Sequence, residues 1–284
     1  MRIQFGGIIA PLLLVSGLVV TGCAANAKPV KKPEELTNNV LFATLYMQTA
    51  AEYKASAIQT YNAAAAHIDN AINDKSWTGV LEQGENYADK QPAIVLDVDE
   101  TVLDNSPYAA KKIQTGTRFT LASWDAWVAM KSAPAIPGAV EFIEQVQAKG
   151  VEVIFVTNRA CKARPGNDDP CPQKTDTLEN LISAGFKATK NTLFLKHERP
   201  EWTSEKKSRR EFLAEDYRIV MLFGDDFGDF LPDVKKNITA AERAKLVTKY
   251  QANWGTKWFV LINPTYGSWF DVLDKPVSKH LKSY

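Results

Sequence analysis

The chain has 284 residues, of which 45% are hydrophobic and 24% charged. That is enough to bury the core of one large domain, or of a domain with a small cap, and it excludes disorder for most of the length. Thirty-four lysines and arginines stand against 33 acidic residues, so no global field draws the protein to a nucleic-acid polymer or to an anionic surface, and the charge balance leaves the substrate open.

The N-terminus reads differently from the rest. Arg2 gives a short basic start, and residues 8–20 form an apolar run too short and too Gly-interrupted to span a bilayer comfortably. Residues 1–22 are therefore expected to be a signal peptide. The run closes on Val20-Thr21-Gly22-Cys23, small residues ahead of a cysteine, which resembles a bacterial lipobox. Cys23 is then the expected lipidated N-terminus of the mature chain, and the lipid its link to the membrane. Ala24 in place of Asp implies outer-membrane sorting in Gram-negative lipoproteins, with the periplasmic or surface face left open. Residues 23–33, short, basic and Pro-containing, suit a tether.

Folding is expected to begin near residue 34. Residues 34–75 contain no Pro or Gly, are rich in Ala, and place apolar residues at broadly helical intervals, giving one long helix or two shorter ones. Tyr46, Tyr53 and Tyr61 are expected to pack there. Four short, β-rich apolar runs follow, at residues 93–96, 151–156, 219–223 and 258–262, with helical character at 138–149, 174–184 and 205–214. Continuous apolar strands alternating with helices predict an α/β fold with a parallel sheet covered on both faces. A segment near residues 111–130 joins the N-terminal helices in a smaller helical part. Cys161 and Cys171 flank a Pro-, Gly- and Asp-rich stretch and read equally as a disulfide or as two thiols. His67, His197 and His280 are too far apart for a zinc motif, and no Ser–His–Asp triad suggests itself.

In an open parallel sheet, ligands bind beyond the carboxyl ends of the strands. The first three runs end on Asp97-Val98-Asp99-Glu100-Thr101, Thr157-Asn158-Arg159 and Gly224-Asp225-Asp226-Phe227-Gly228-Asp229. So many carboxylates at one edge repel one another unless a cation joins them, and magnesium is the natural hard, oxygen-seeking choice. Asp97 is placed to attack phosphorus. Asp99, two residues on in extended backbone, can protonate the leaving oxygen and then activate water. Thr157 can donate to a phosphate oxygen, and a lysine ahead of the third run can neutralise charge there, Lys206 by preference over its neighbour Lys207.

These residues resemble the four motifs of the haloacid dehalogenase superfamily. More narrowly, Ile94-Val95-Leu96-Asp97-Val98-Asp99-Glu100-Thr101-Val102-Leu103-Asp104-Asn105-Ser106, together with the lipobox, resembles class C acid phosphatases, the lipoprotein e family. Trp124-Asp125-Ala126-Trp127-Val128, Pro137-Gly138-Ala139 and Asn263-Pro264-Thr265-Tyr266-Gly267-Ser268-Trp269 are further matches. The resemblance implies a Rossmann-like parallel sheet core, about residues 92–108 and 135–275, with a smaller α-helical domain from about 34–80 and 109–134. It implies Mg2+ held by the Asp97 and Asp225 side chains and the Asp99 carbonyl, with Asp229 as supporting acid. It further implies hydrolysis of small phosphomonoesters such as nucleoside 5′-monophosphates or nicotinamide mononucleotide. Asn158 would lie at the substrate, and Trp124 and Tyr266 would grip a base or ring. A homodimer is left open, and a phosphotransferase or a non-enzymatic surface binding lipoprotein are the alternatives. The long stretch between the cysteines and Pro200-Glu201-Trp202-Thr203 depart from the simplest family pattern and bear on substrate preference.

Overall fold

The computed structural model describes residues 33–284; the expected signal peptide and Cys23, and the tether up to residue 32, lie outside them. The chain runs α1 (Pro33–Thr49), α2 (Ala51–Asn73), β1 (Gln91–Leu96), α3 (Ser106–Thr115), α4 (Leu121–Met130), α5 (Ala139–Ala148), β2 (Glu152–Ala160), α6 (Pro172–Ser183), β3 (Leu193–Lys196), α7 (Lys207–Asp216), β4 (Tyr217–Gly224), α8 (Ala240–Lys249), β5 (Trp258–Val260) and α9 (Ser268–Asp271). Among the described residues the strands form one parallel sheet in the order β3-β2-β1-β4-β5. Leu96 lies opposite both Phe155 and Phe223. That register brings the polar residues after β1, in the last turns of β2 and after β4 to one edge.

Side chains of a strand alternate between faces, and each face here has its own core. Ile94, Leu96, Val153, Phe155 and Phe223 pack against Tyr61, Ala64 and Ile68 of α2 and Phe142, Ile143 and Val146 of α5. Ala93, Val95, Ile154, Val156 and Leu222 pack on the other side with Leu213 and Ala214 of α7, Phe230 and Trp258. Among the described residues the N-terminal helices share the core of the sheet, since Tyr53, Tyr61 and Trp127 of the helical part lie in the same apolar cluster as Ile94 and Leu96. Residues 34–75 resolve into two helices, broken by extended backbone at Ala50. No helix among the described residues is long and apolar enough to cross a membrane.

Three elements go beyond the sequence reading: β3, α8 and the four-residue α9. β3 adds a fifth, edge strand, so the run at 219–223 is the fourth strand in chain order. It has four residues, of which only Leu193 and Leu195 are buried, too short an alternation to stand out. α8 buries none of its residues fully, and its apolar side only leans on the core through the partly buried Leu246. Cys161 and Cys171 form a disulfide that joins the end of β2 to the start of α6.

One buried cation ties a helix end to the sheet. The Arg218 side chain, at the start of β4, is fully buried. Its Nη1 donates to the carbonyls of Ala71, Asp74 and Trp77 at 2.8, 2.9 and 3.2 Å, and Nη2 donates to Ile72 at 2.8 Å. Ala71 and Ile72 are carbonyls that the last turn of α2 leaves without helical partners, at the negative end of its dipole, and Asp74 and Trp77 belong to the turn that follows. Arg218→Met should therefore lower unfolding stability by about 2 to 4 kcal/mol in urea titration, because several buried carbonyls lose their donors together.

Candidate active site

β1 delivers Asp97 to the edge of the sheet, where its backbone N–H still donates to Phe223 at 3.0 Å. The carboxylate is nearly buried and pairs with the Lys206 ammonium. Lys206 also pairs with Asp229 at 2.7 Å. It stands at the residue before α7, whereas Lys207 points outward and pairs with Glu211 on the helix surface. The structure thus brings Lys206, and not Lys207, to the carboxylates.

Asp225 follows β4 directly. Its Oδ2 accepts from Asn263 Nδ2 at 2.8 Å and its Oδ1 from Thr101 Oγ1 at 3.3 Å. Asp229 closes the same turn, with Oδ2 accepting from the Asp226 N–H at 3.0 Å. Asp97, Asp225 and Asp229 each offer an oxygen within 4.8 Å of the others. Gly224 is required by this approach, because a Cβ there would lie 2.1 Å from Asp229 Oδ2.

The electrostatics of the cluster follow from burial. Desolvation raises Asp97, the Lys206 ammonium draws it down, and Asp229 and Asp99 push it up again, leaving it at about 7. Asp225 is held well above the carboxylate range by burial and then by the charges of Asp97, Asp229 and Glu100. Burial alone would lower Lys206, but Asp229 and Asp97 keep it above its ordinary value. Three carboxylates facing one ammonium leave an excess of negative charge, and a hard divalent cation that takes carboxylate oxygens would satisfy it. The donor set fits such an ion, since Asp97, Asp225 and Asp229 each turn a carboxylate oxygen toward the same point.

Asp99 does not point into this cluster. Its carboxylate is forked by the Arg159 guanidinium, with Nη2 to Oδ1 at 2.8 Å and Nε to Oδ1 at 3.0 Å. Thr157 Oγ1 lies 3.3 Å from Asp99 Oδ2 and accepts from the Arg159 N–H. The Asn158 amide is engaged within the protein, donating to the Ser204 carbonyl at 3.1 Å and accepting from Arg209 Nη2 at 2.7 Å. Trp124, half-buried on α4, lies edge-on to Tyr108 at 5.2 Å, with the Arg159 guanidinium 5.9 Å from its ring centre. Tyr266 is half exposed, and its hydroxyl donates to Glu100. Glu100 is buried, in left-handed backbone at φ 57°, and accepts from the Asn105 N–H at 2.8 Å.

Sequence reasoning missed the cations beneath the site. Arg209 Nη1 donates to the Thr157 carbonyl at 2.6 Å. Arg210 Nη1 donates to the Asp229 carbonyl at 2.9 Å, while its other nitrogens fork the buried Glu82. A signal was present: positions 209 and 210 lie three and four residues after Lys206, on one face of α7. Arg159, visible in Thr157-Asn158-Arg159, was given no role.

A carboxylate cluster, a buried lysine and an acid two residues past the first aspartate, all at the carboxyl edge of a parallel sheet, define a class of α/β protein with an acidic site able to hold a cation. The chain belongs to the HAD superfamily, subfamily IIIB (acid phosphatase), whose family model matches residues 20–269, as the sequence motifs implied. It is similar to the solved class C acid phosphatase of Bacillus anthracis, with 32% identity and a TM-score of 0.71 over 88% of this chain and 99% of that one. A second structure of that protein, with tungstate bound, matches at the same identity and TM-score over 90% and 100%. Acid phosphatase 1 of Solanum lycopersicum is 30% identical over 48% of this chain and 51% of that protein. The aligned segments span only 49–60% of the curated relatives' own length.

Gly224→Ala should displace Asp229 and with it the acid that steadies Lys206. Calorimetric titration of the metal-free variant with magnesium chloride is expected to show affinity weakened by about 10- to 100-fold, as for other losses of support around metal ligands.

Proposed function

We propose that this protein is a magnesium-dependent acid phosphatase that hydrolyses phosphomonoesters through an aspartyl-phosphate on Asp97. The observation that carries the reading is the placement of Asp97: a strand-end carboxylate, oriented by a buried lysine, beside two further carboxylates and two residues from a separately held acid. Asp97 and Asp225, with the Asp99 carbonyl, would hold magnesium, which would supply charge neutralisation for the phosphoryl oxygens. In the first half-reaction an Asp97 oxygen bonds to phosphorus as the bond to the leaving oxygen breaks, and Asp99 gives that oxygen its proton. Water then attacks phosphorus, Asp99 takes a proton from it, and the bond to Asp97 breaks with its electron pair returning to the carboxylate. Thr157 and Lys206 donate to the oxygens around phosphorus. The tungstate bound by the Bacillus anthracis relative, an oxyanion like phosphate, supports an oxyanion subsite on this scaffold.

Asp97→Asn should lower kcat by at least about a thousandfold with the fold intact, since an amide cannot form the acyl-phosphate. EDTA should abolish wild-type turnover and magnesium restore it. Retained activity in the purified variant, or in metal-free protein, would refute the mechanism.

The preferred substrates in this reading are nucleoside 5′-monophosphates or nicotinamide mononucleotide. Trp124 stands one guanidinium away from Asp99, and Tyr266 is tied to the adjacent Glu100, so both aromatic residues border the turn that carries the chemistry. Stacking on an aromatic side chain contributes about 1 to 3 kcal/mol per base, or roughly 5- to 150-fold. Trp124→Ala should therefore reduce kcat/KM for a nucleoside 5′-monophosphate by about that factor more than for a small aliphatic phosphate. Equal losses for both substrates would make Trp124 a packing residue only.

Export and anchoring complete the proposal, with Cys23 as the acylated N-terminus of an outer-membrane lipoprotein. Mass spectrometry of the mature native protein should find acyl chains on Cys23, and a native form that begins at another residue would refute the anchor.

A further inference from the structure

The two oxygens of Asp99 are held unequally. Oδ1 accepts from Arg159 Nη2 at 2.8 Å, from Arg159 Nε at 3.0 Å and from Asn105 Nδ2 at 2.9 Å. Among the described residues Oδ2 meets only the longer contacts of Arg159 Nε and Thr157 Oγ1, both at 3.3 Å. A carboxylate oxygen has about two lone pairs to offer, so three donors leave Oδ1 no room for a proton or a substrate atom.

The donors are themselves fixed. Arg159 is 1% exposed, and its Nη1 donates to Thr177 Oγ1 of α6 at 3.2 Å. Trp127 Nε1, which can only donate, meets Asn105 Oδ1 at 2.7 Å and so turns the amide nitrogen toward the carboxylates. None of these side chains has a part in the mechanism above. Arg159 spends all its side-chain hydrogen bonds inside the protein, on Asp99 and Thr177.

We propose that Arg159 is a positioning residue that anchors Asp99 through Oδ1 and reserves Oδ2 as the oxygen that gives and takes the catalytic proton. The inference rests on the assignment of Asp99 as acid and base. In the first half-reaction the O–H bond at Oδ2 breaks as its proton passes to the leaving oxygen, which also receives the electron pair of the broken P–O bond. In the second, a proton of the attacking water lands on Oδ2. Without the fork, the carboxylate rotates and is less often aligned with the leaving oxygen.

The test exploits leaving groups. A p-nitrophenolate departs without a proton, whereas an alkoxide needs one, so misplacing the acid should penalise alkyl phosphates selectively. The measurement is kcat/KM for p-nitrophenyl phosphate and for an alkyl phosphate, in wild-type magnesium-loaded protein and in variants. Arg159→Gln should lower the alkyl value by at least about tenfold more than the p-nitrophenyl value, within the usual range for a positioned acid. Thr177→Val, which removes one support and preserves volume, should shift the ratio the same way by less. In an Asp99→Asn background, Arg159→Gln should shift the ratio no further, because the arginine acts through that carboxylate. Equal losses for both substrates across Arg159→Gln and Thr177→Val would overturn the proposal. So would an Arg159→Lys variant with the wild-type ratio, which would show that charge and not the planar fork suffices. Failure of the underlying assignment is distinguishable: Asp99→Asn by itself would then leave the ratio unchanged.

Discussion

The Lys206 ammonium, almost wholly withdrawn from water between Asp97 and Asp229, is the constraint on which the rest of the site depends. An isolated buried charge of either sign costs several kcal/mol, and the attraction repays this only when geometry is good and the remaining hydrogen bonds are made. The first turn of α7 must therefore dock where β1 ends and where the turn after β4 folds back. Arg209 and Arg210, on the same helical face, pin the carbonyls of Thr157 and Asp229. One helix terminus thus sets the relative positions of three segments that are remote in sequence.

Charge is partitioned around that terminus. Asp99 is balanced by its own guanidinium, so the negative excess falls on Asp97, Asp225 and Asp229. The loop after β5 closes the arrangement from the other side. Asn263 donates to Asp225, Ser268 to Asp226 through both its N–H and its hydroxyl, and Tyr266 to Glu100. A site of this kind is stiff on its polar sides.

The alternation of continuous apolar runs with helices was enough to read a parallel α/β sheet, because strands buried on both faces have no polar side to blur the signal. Asp97 was legible for the same reason: a carboxylate that interrupts such a run at its end has few structural excuses. β3 and α8 were not legible, the first because only two of its side chains are buried and the second because none is fully buried. The choice between Lys206 and Lys207 needed the phase of α7, which two adjacent lysines do not supply. The pairing of Arg159 with Asp99 was hidden more deeply, since nothing in a one-dimensional pattern tells which cation will turn toward which acid across 60 residues. The state of Cys161 and Cys171 required their distance, and that is set by how α6 returns to the end of β2.

The order of the sheet has a kinetic consequence. β1 lies at the centre and pairs with β2 on one side and β4 on the other, and the β4 pairing closes a loop of more than a hundred residues. Asp97 and Asp225 therefore meet only after nearly the whole chain has condensed, and contacts of such long range form slowly because loop closure comes before their reward. The helices can form early, but the carboxylate cluster is among the last features to assemble. Its appearance during refolding is a chemical clock for completion of the sheet, and a chain stopped short of that point presents no assembled site.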